Sequence, residues 1–409
     1  MVRVAIVDSV RTAMSRAFHG RLRESRPDDL AAHCIDALIA RNGWLEPARV
    51  DDCVIGCAFP EGAQGMNLGR NAAVLSRLGR AVAGLTISRY CASGLDAVAH
   101  AASRIASGQA DTVVAGGVES ISLTMKSING AKLFNPAIER ASPATYLAMN
   151  WSDPSIAFWK RAFRSMGETA ELIAQRDGIP RAAQDAFARD SQARTARAQA
   201  AGVLDDEIVA VAVAPDHAEC GTEPARFDRD DCNRPGTTLE ALAELEPAFR
   251  TDGTVTAGNA APPADGAACA VLASEAVARH HRLEPLGWFT GYATVGCEPE
   301  LMATGAARAV GKLLAAHRLT TGDVELYELN EVFAAQALHC VRALELDAAR
   351  VNVNGGALSL GHPFGMTGAR LIGCAARELR RRGGRRAVVA MCVGGGIGAA
   401  ALIESAPPA

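Results

Sequence analysis

Apolar, strand-favouring runs alternate with stretches of helical periodicity at both ends of this chain. That alternation constrains the fold more than any other feature. A strand, a helix and a second strand in succession imply parallel pairing through a crossover, and so a layered α/β architecture. The first part predicts a strand over 3–7 and a helix through Leu30, Cys34, Leu38 and Ile39, capped by Asp28 or Asp29 and stopping near Asn42-Gly43. Next come a short strand at Val54-Ile55, a helix over 69–78, a strand at Leu85-Thr86-Ile87, a helix to about Ser107, and a buried strand over 111–115 that runs into Gly116-Gly117. From about Ser122 to Pro263 the rhythm breaks. Two helices, 167–176 and 181–200, and loops rich in Asp, Pro and Arg over 216–237 read as an insertion lying over a scaffold. The rhythm resumes at 268–272. A coarse repeat supports two similar halves: Ser93-Gly94, helix, apolar strand, Gly116-Gly117 against Thr367-Gly368, helix, apolar strand, Gly394-Gly395. The expected division is 1–121 (completed by about 263–284), an insertion over 122–262, and a second half over 285–409.

Composition excludes several classes. Hydrophobic residues make up 49% and charged residues 21%, as in an ordinary globular protein with a large core. A net charge of −3 gives no field for nucleic acid or for a membrane surface. No apolar run reaches the roughly 18 residues needed to span a bilayer, and Val2 to Val7 begins a strand-like run without signal-peptide layout. The eleven cysteines are scattered, and the nearest pair, Cys53 and Cys57, lacks a matching second pair, so no metal site is expected. That usage reads as a reduced, cytoplasmic protein whose cysteines are core residues or catalysts.

Four stretches carry chemistry. Cys91, in Ser88-Arg89-Tyr90-Cys91-Ala92-Ser93-Gly94-Leu95, falls at a strand-to-helix junction. Unpaired N–H groups at a helix N-terminus favour a thiolate there, although a small buried core cysteine is the commoner outcome. His362 sits in a glycine-rich loop, Gly361-His362-Pro363-Phe364-Gly365, just before a helix; a lone histidine is usually structural, but glycines let a ligand approach the backbone. Cys392 is delivered to the end of a strand over 387–390 and is followed by Gly394-Gly395-Gly396. Strand C-termini are where α/β sheets place their sites; the plain alternative is a tight hairpin after a core cysteine. Asn330, in Glu328-Leu329-Asn330-Glu331-Val332-Phe333, follows a strand over 324–327. By itself it reads as an N-cap for a helix beginning near Glu331.

Together these blocks resemble the thiolase family. Cys-x-Ser-Gly-Leu at Cys91, Asn-Glu-x-Phe at Asn330, Gly-His-Pro-x-Gly at His362 and Cys-x-Gly-Gly-Gly-x-Gly at Cys392 occur in the family's order and spacing. Val255-Thr256-Ala257-Gly258-Asn259 and Ser165-Met166-Gly167-Glu168 match as well, and the resemblance spans about residues 3–403. It implies an α/β fold with two similar halves in an αβαβα layering, an inserted loop domain covering coenzyme A, and an acyl-cysteine intermediate. Residue by residue, it implies that Cys91 is the nucleophile and that His362 activates it and donates to the thioester oxygen. Asn330 would hold a water that completes that first oxyanion hole. Cys392 would be the second acid/base, and the N–H groups of Cys91 and Gly394 the second oxyanion hole. Such a hole is worth about 3–4 kcal/mol. Both thiols need pKa values near working pH, and the glycine turns are expected to lower them. A ketoacyl synthase resembles a Cys-His-His arrangement, against which Cys392 argues; the sterol-carrier type replaces Asn-Glu by His-Asp, against which Asn330-Glu331 argues.

The resemblance also implies coenzyme A as co-substrate, no permanently bound cofactor, and a homodimer or homotetramer, with the Leu85 strand and the start of the Cys91 helix as interface elements. Arg234 and Met166 fall at CoA-contacting positions, with Phe249, Ala257, Gly258 and Phe333 beside the pantetheine path. Two departures bear on CoA contacts and substrate range. Ser165-Met166-Gly167 stands where the family has His-Met-Gly, and Asn259-Ala260-Ala261-Pro262-Pro263 where it has Asn-Ala-Ser-Gly, so Ala261 lacks a hydroxyl. Phe134, Tyr146, Trp151, Phe158, Trp159 and Phe163 crowd one segment of a chain with only 5% aromatics. They read as the wall of a roomy acyl pocket for medium, long or bulky chains, or else as packing within the loop domain or at a subunit contact. The expected reaction is CoA-dependent cleavage of 3-ketoacyl-CoA to acyl-CoA and acetyl-CoA. A biosynthetic Claisen condensation and a catalytically silent acyl-CoA-binding subunit are the alternatives.

Overall fold

The computed structural model describes residues 2–128, 165–213 and 225–405, so the aromatic cluster from Phe134 to Phe163 lies outside the described residues. The strands are β1 (Val4–Thr12), β2 (Ser15–Arg16), β3 (Asp52–Gly56), β4 (Ala83–Ile87), β5 (Thr112–Glu119), β6 (Ile208–Val209), β7 (Val211–Val213), β8 (Ala225–Phe227), β9 (Ala264–Ser274), β10 (Gly287–Gly296), β11 (Leu326–Leu329), β12 (Arg386–Val393) and β13 (Ile397–Glu404). The main sheet has the order β11-β12-β13-β10-β1-β9-β5-β3-β4. It consists of two similar runs, β1-β9-β5-β3-β4 and β10-β13-β12-β11, joined where β1 pairs antiparallel with β10. Each run begins with antiparallel pairs and ends with parallel ones, as the crossover helices require.

Side-chain alternation along the strands sorts the core into layers. In β5, Val113 and Ala115 face a central cluster while Val114 and Val118 face an outer one. In β12, Ala387, Val389 and Met391 face the centre, and Val388, Ala390 and Cys392 face outward. The central cluster holds two helices, Ser93–Ala106 through Leu95, Val98 and Ile105, and Phe364–Arg382 through Met366, Leu371, Ile372 and Leu379. Helices Pro27–Arg41 and Leu68–Leu75 cover the outer face of the first run. Helices Gly305–His317 and Ala334–Ala343 cover that of the second. The result is the expected αβαβα layering.

Glycine sets the depth of the central layer. A Cβ on Gly94 would lie 2.4 Å from the Gly365 carbonyl oxygen, and one on Gly368 2.5 Å from the Leu95 nitrogen. The repeated Gly94 and Gly368 are therefore where the two central helices touch, a contact closed to any larger residue.

Several elements differ from the sequence expectations. The helix expected to be capped by Asp28 or Asp29 starts earlier, with Pro27 in its first turn and both aspartates inside it. Pro suits that position because its missing N–H would be unpaired there anyway. The strand expected over 111–115 continues through Gly116 and Gly117 to Glu119, because its whole length is paired with β9. Within the insertion, Met166–Arg176 and Arg181–Ala200 are helices as expected. The second lies against the loop that precedes His362: Ser191 and Thr195 reach the Ser359 hydroxyl, at 3.1 and 2.6 Å, and Gln192 Nε2 donates to the Leu358 carbonyl at 3.1 Å.

Candidate active site

Cys91 leaves β4 through a strained elbow. Tyr90 has φ +43°, a left-handed conformation that tyrosine rarely adopts. Ser93 holds the turn: its hydroxyl accepts from the Arg89 N–H at 2.9 Å and donates to the Tyr90 carbonyl at 2.6 Å. Arg89 pairs with Asp96 in the first turn of the following helix, and the Tyr292 hydroxyl from β10 donates to the same carboxylate. The elbow is thus braced by both halves. It places Cys91 two residues before the helix, half-buried and lining the cavity described below.

His362 follows Gly361, whose φ is +91°, and its N–H donates to the Pro262 carbonyl at 3.0 Å. Its Nδ1 lies 2.7 Å from Thr367 Oγ1, which gives its own hydrogen to the Pro363 carbonyl at 2.7 Å. The hydroxyl must therefore accept from Nδ1–H, which leaves Nε2 as the unprotonated nitrogen. Asn330 Nδ2 lies 3.2 Å from Nε2 and donates to it. Burial, with the nearby Arg370 cation, pushes the imidazole down to about 3, so His362 is neutral with an unprotonated Nε2 at physiological pH.

Asn330 is not the helix cap that its sequence neighbourhood suggested. Its N–H donates to the Ala390 carbonyl at 2.9 Å, extending the β11–β12 ladder by one residue, and the helix begins only at Ala334. Glu331, next to it, is fastened by Ser191 and Asn352, each at 2.7 Å. The side chain of Asn330 is consequently free to face His362.

Cys392 lies inside β12, which runs three residues beyond the expected end before Gly395 and Gly396 turn the chain with φ +81° and +80°. The tight hairpin and the cavity-facing cysteine are both present. The N–H groups of Gly394 and of Cys91 itself are directed at the Cys91 sulfur and pull its pKa down, but burial outweighs them and pushes the thiol up to about 12. Burial likewise holds the Cys392 thiol well above its ordinary value. The expectation that glycine turns bring both thiols near working pH is therefore corrected. Two N–H groups do not offset removal from water, so both cysteines are thiols at pH 7.

A cavity of about 770 Å³ joins these groups. Cys91, His362, Cys392 and Gly394 lie on its wall, with Arg234, Met166, Phe249, Ala257, Gly258, Ala261 and Phe333. Asn330 and Ser165 are not on the wall. Asn330 stands behind His362, and Ser165 caps the helix Met166–Arg176, its hydroxyl accepting from the Glu168 N–H at 3.3 Å. Phe249 packs edge-on to Phe333 at 6.0 Å. Arg234 is exposed and makes no ion pair among the described residues, while its backbone N–H is held by Gln192 at 2.8 Å. The Ala261 N–H donates to the Val332 carbonyl at 2.9 Å, so the altered loop at Pro262 and Pro263 ties His362 to the segment after Asn330.

Sequence reasoning missed the aromatic wall beside Cys91: Phe59 lies 6.0 Å from Tyr90 and 5.9 Å from Phe364, and Phe364 lies 5.0 Å from His362. Nothing local to Phe59 marks it. It also missed Glu119, a buried carboxylate accepting from the N–H groups of Ala58 and Gly365 at 2.9 and 2.8 Å and from Gln64 at 2.6 Å. Every described cysteine is free, and no described helix is long and apolar enough to cross a membrane.

Known proteins share this arrangement along the whole chain. Residues 4–276 match the family model of the thiolase N-terminal domain and residues 283–405 that of the thiolase C-terminal domain. A 3-ketoacyl-CoA thiolase of Bacillus subtilis is 40% identical over 99% of this chain and 100% of its own. A 3-oxoadipyl-CoA/3-oxo-5,6-dehydrosuberyl-CoA thiolase of Escherichia coli is 42% identical over 98% of both. Among solved structures, the Bacillus anthracis acetyl-CoA acetyltransferase is 36% identical with a TM-score of 0.87, covering 99% of each chain. Human mitochondrial 3-ketoacyl-CoA thiolase is 32% identical with a TM-score of 0.86 at the same coverage. On its fold, its site and this likeness, the chain belongs to the thiolase family.

Proposed function

We propose that the protein cleaves 3-ketoacyl-CoA with coenzyme A, giving an acyl-CoA two carbons shorter and acetyl-CoA, through an acyl-Cys91 intermediate. The observation that carries this is the convergence on one cavity of the Cys91 thiol, a neutral His362 with an unprotonated Nε2, and the Cys392 thiol, with the N–H groups of Cys91 and Gly394 on the nucleophile. His362 Nε2 takes the Cys91 proton, and the thiolate attacks the keto carbon. The two N–H groups take the developing oxyanion. The bond between the keto carbon and the neighbouring methylene carbon breaks. Cys392 gives its proton to the departing acetyl-CoA enolate, whose oxygen faces His362 Nε2–H and a water held by Asn330. Cys392, now a thiolate, takes the proton of incoming CoA. The CoA sulfur attacks the acyl-Cys91 thioester, and Cys91 recovers its proton from His362. Run backwards, the same steps are a Claisen condensation.

In this reading the insertion over 122–262 covers CoA, with Met166, Phe249, Ala257, Gly258 and Phe333 along pantetheine and Arg234 toward the adenine end. Residues 1–121 with about 263–284, and 285–409, form the two α/β halves. The aromatic wall of Phe59, Tyr90 and Phe364 supports medium, long or bulky acyl groups, as in fatty-acid β-oxidation. The relatives named β-ketoadipyl-CoA thiolase, 42% identical, together with Arg16 on the cavity wall, support a second reading, an acyl group ending in a carboxylate. A homodimer or homotetramer in the cytoplasm fits both readings, with the half-exposed edge strand β4 as an interface element.

Mass spectrometry after mixing with 3-ketoacyl-CoA tests the reaction. Acylation of Cys91, lost in Cys91→Ser, is expected; no mass gain would make the protein a binding subunit only. A panel of acetoacetyl-CoA, medium- and long-chain 3-ketoacyl-CoA and 3-oxoadipyl-CoA, run in both directions, decides the acyl class. Preference for the four-carbon substrate would refute both acyl readings.

A further inference from the structure

Leu326, Glu328 and Asn330 leave one face of β11, the face that meets the central layer, while Tyr327 and Leu329 leave the other. Thr367 and Arg370, three residues apart, share a face of the helix Phe364–Arg382. The strand runs toward the site and the helix runs away from it. Asn330 and Thr367 are therefore the near pair, and they bracket His362 with hydrogen bonds. Glu328 and Arg370 are the pair one step deeper.

The deeper pair is anomalous. Among the described residues, both carboxyl oxygens of Glu328 are buried and accept no hydrogen bond, Arg370 Nε is buried without a partner, and so is Asn330 Oδ1 between them and the site. Buried carboxyls nearly always have partners. The other ionisable groups acting on Glu328 offer none. Glu331 is bonded to Ser191 and Asn352, Glu378 is ion-paired with Arg381 and Arg382, and Glu207 is ion-paired with Arg11, which Asp230 also holds. Cys374, on the same helix as Arg370, is a neutral thiol held well above its ordinary value. Among the described residues, Arg370 is the cation whose charge favours the Glu328 carboxylate. The same cation disfavours a proton on His362, whereas the charged side chain acting on Cys91 is Glu119.

We propose that Glu328 is a positioning residue for the histidine base: as a carboxylate it offsets the Arg370 guanidinium and lets His362 hold the proton taken from Cys91, and as a carboxylic acid it leaves that cation unopposed. This rests on the roles proposed above for Cys91 and His362. Burial pushes the Glu328 carboxyl up to about 8. Below that pH the acid form prevails and His362 is a poor base; above it the carboxylate forms and the Cys91–His362 proton transfer improves.

The test is alkylation of Cys91 by iodoacetamide, followed by peptide mass spectrometry, across pH 6 to 10 on the full chain. It needs no CoA chemistry. A Cys91 that alkylates with the predicted pH step but is never acylated would refute the thiolytic reading and leave this one standing. Wild type should show a step centred near pH 8 above the steady rise that ionisation of a thiol near 12 gives across this range. Glu328→Gln should lack the step and alkylate about tenfold more slowly at high pH, the effect of one neighbouring charge. Arg370→Gln should move the step to higher pH, because the cation that favours the Glu328 carboxylate is gone, and should alkylate faster than wild type at neutral pH. A merely structural role predicts slowing in both variants by a factor independent of pH, which would overturn the proposal, as would a step that survives in Glu328→Gln. If Glu328→Gln does not fold, the sign of the Arg370→Gln effect decides alone.

Discussion

Replacing Thr367 by valine tests whether the His362 tautomer is set by its neighbour. Valine keeps the shape of threonine and removes its hydroxyl. That hydroxyl accepts from His362 Nδ1–H at 2.7 Å and donates to the Pro363 carbonyl at 2.7 Å, and all three groups are buried. Without it the buried Nδ1–H loses its partner, at about 1–3 kcal/mol, while the Pro363 carbonyl keeps the backbone N–H of residue 367 at 3.0 Å. The same change removes the reason for the proton to sit on Nδ1. Loss of one such bond, about 1–2 kcal/mol, lowers the fraction of imidazole with a free Nε2 by about 5- to 30-fold. The rate constant for acylation of Cys91, measured in a single turnover, should fall by that factor. Nitrogen chemical shifts of His362 should show proton density moving to Nε2. Thr367→Ser, which restores the hydroxyl, should recover most of both. A Thr367→Val protein that acylates within about twofold of wild type, with an unchanged ring spectrum, would refute the assignment of the base.

Three other outcomes follow from the packing and the buried charges. Gly365→Ala places a Cβ 2.5 Å from the Val118 carbonyl oxygen and 2.9 Å from the Cys57 Cα; backbone must move, so the urea midpoint should fall by the equivalent of about 1–3 kcal/mol, and an unchanged midpoint would contradict the close approach. Arg11→Met strands Glu207 and Asp230, which the guanidinium holds at 2.6 Å each in a fully buried site; a loss of about 3–5 kcal/mol in urea unfolding at pH 7 is expected, and an unchanged midpoint would contradict the buried pairing. Glu328→Gln should be more stable than wild type in alkali: the unfolded glutamate releases its proton near 4.5 and the folded one near 8, so wild-type stability falls with rising pH across that window, by up to about 5 kcal/mol, and the glutamine variant has no such loss. Parallel stability curves for the two proteins between pH 5 and 9 would show that Glu328 is not a buried acid.

The layering was legible because alternation of strand and helix leaves few ways to bury two-sided sheets, and the repeated Ser93-Gly94 and Thr367-Gly368 mark where the central helices meet. The candidate site was legible because glycine, cysteine, histidine and asparagine fall together at strand ends. Their protonation states were not legible. A thiol next to a glycine turn and a thiol buried in a cavity read identically in sequence, and only the enclosure of Cys91 and Cys392 decides which force wins. Asn330 makes the same point. Its local sequence favours a helix cap, and one more residue of β-ladder, bonded to Ala390 some sixty residues on, withdraws it from that role. Glu328 is the extreme case. Nothing in Leu326-Tyr327-Glu328-Leu329 separates a buried acid from a solvated one on an edge strand. Its orphaned oxygens become informative only because they leave the face of β11 that meets the central layer, where the charge of Arg370 acts both on them and on His362. A site built this way tunes its base from the interior, where solvent screening is least. The pH response of Cys91 should therefore be nearly insensitive to added salt, and a step near pH 8 that shifts strongly with ionic strength would locate the controlling charge at the surface instead.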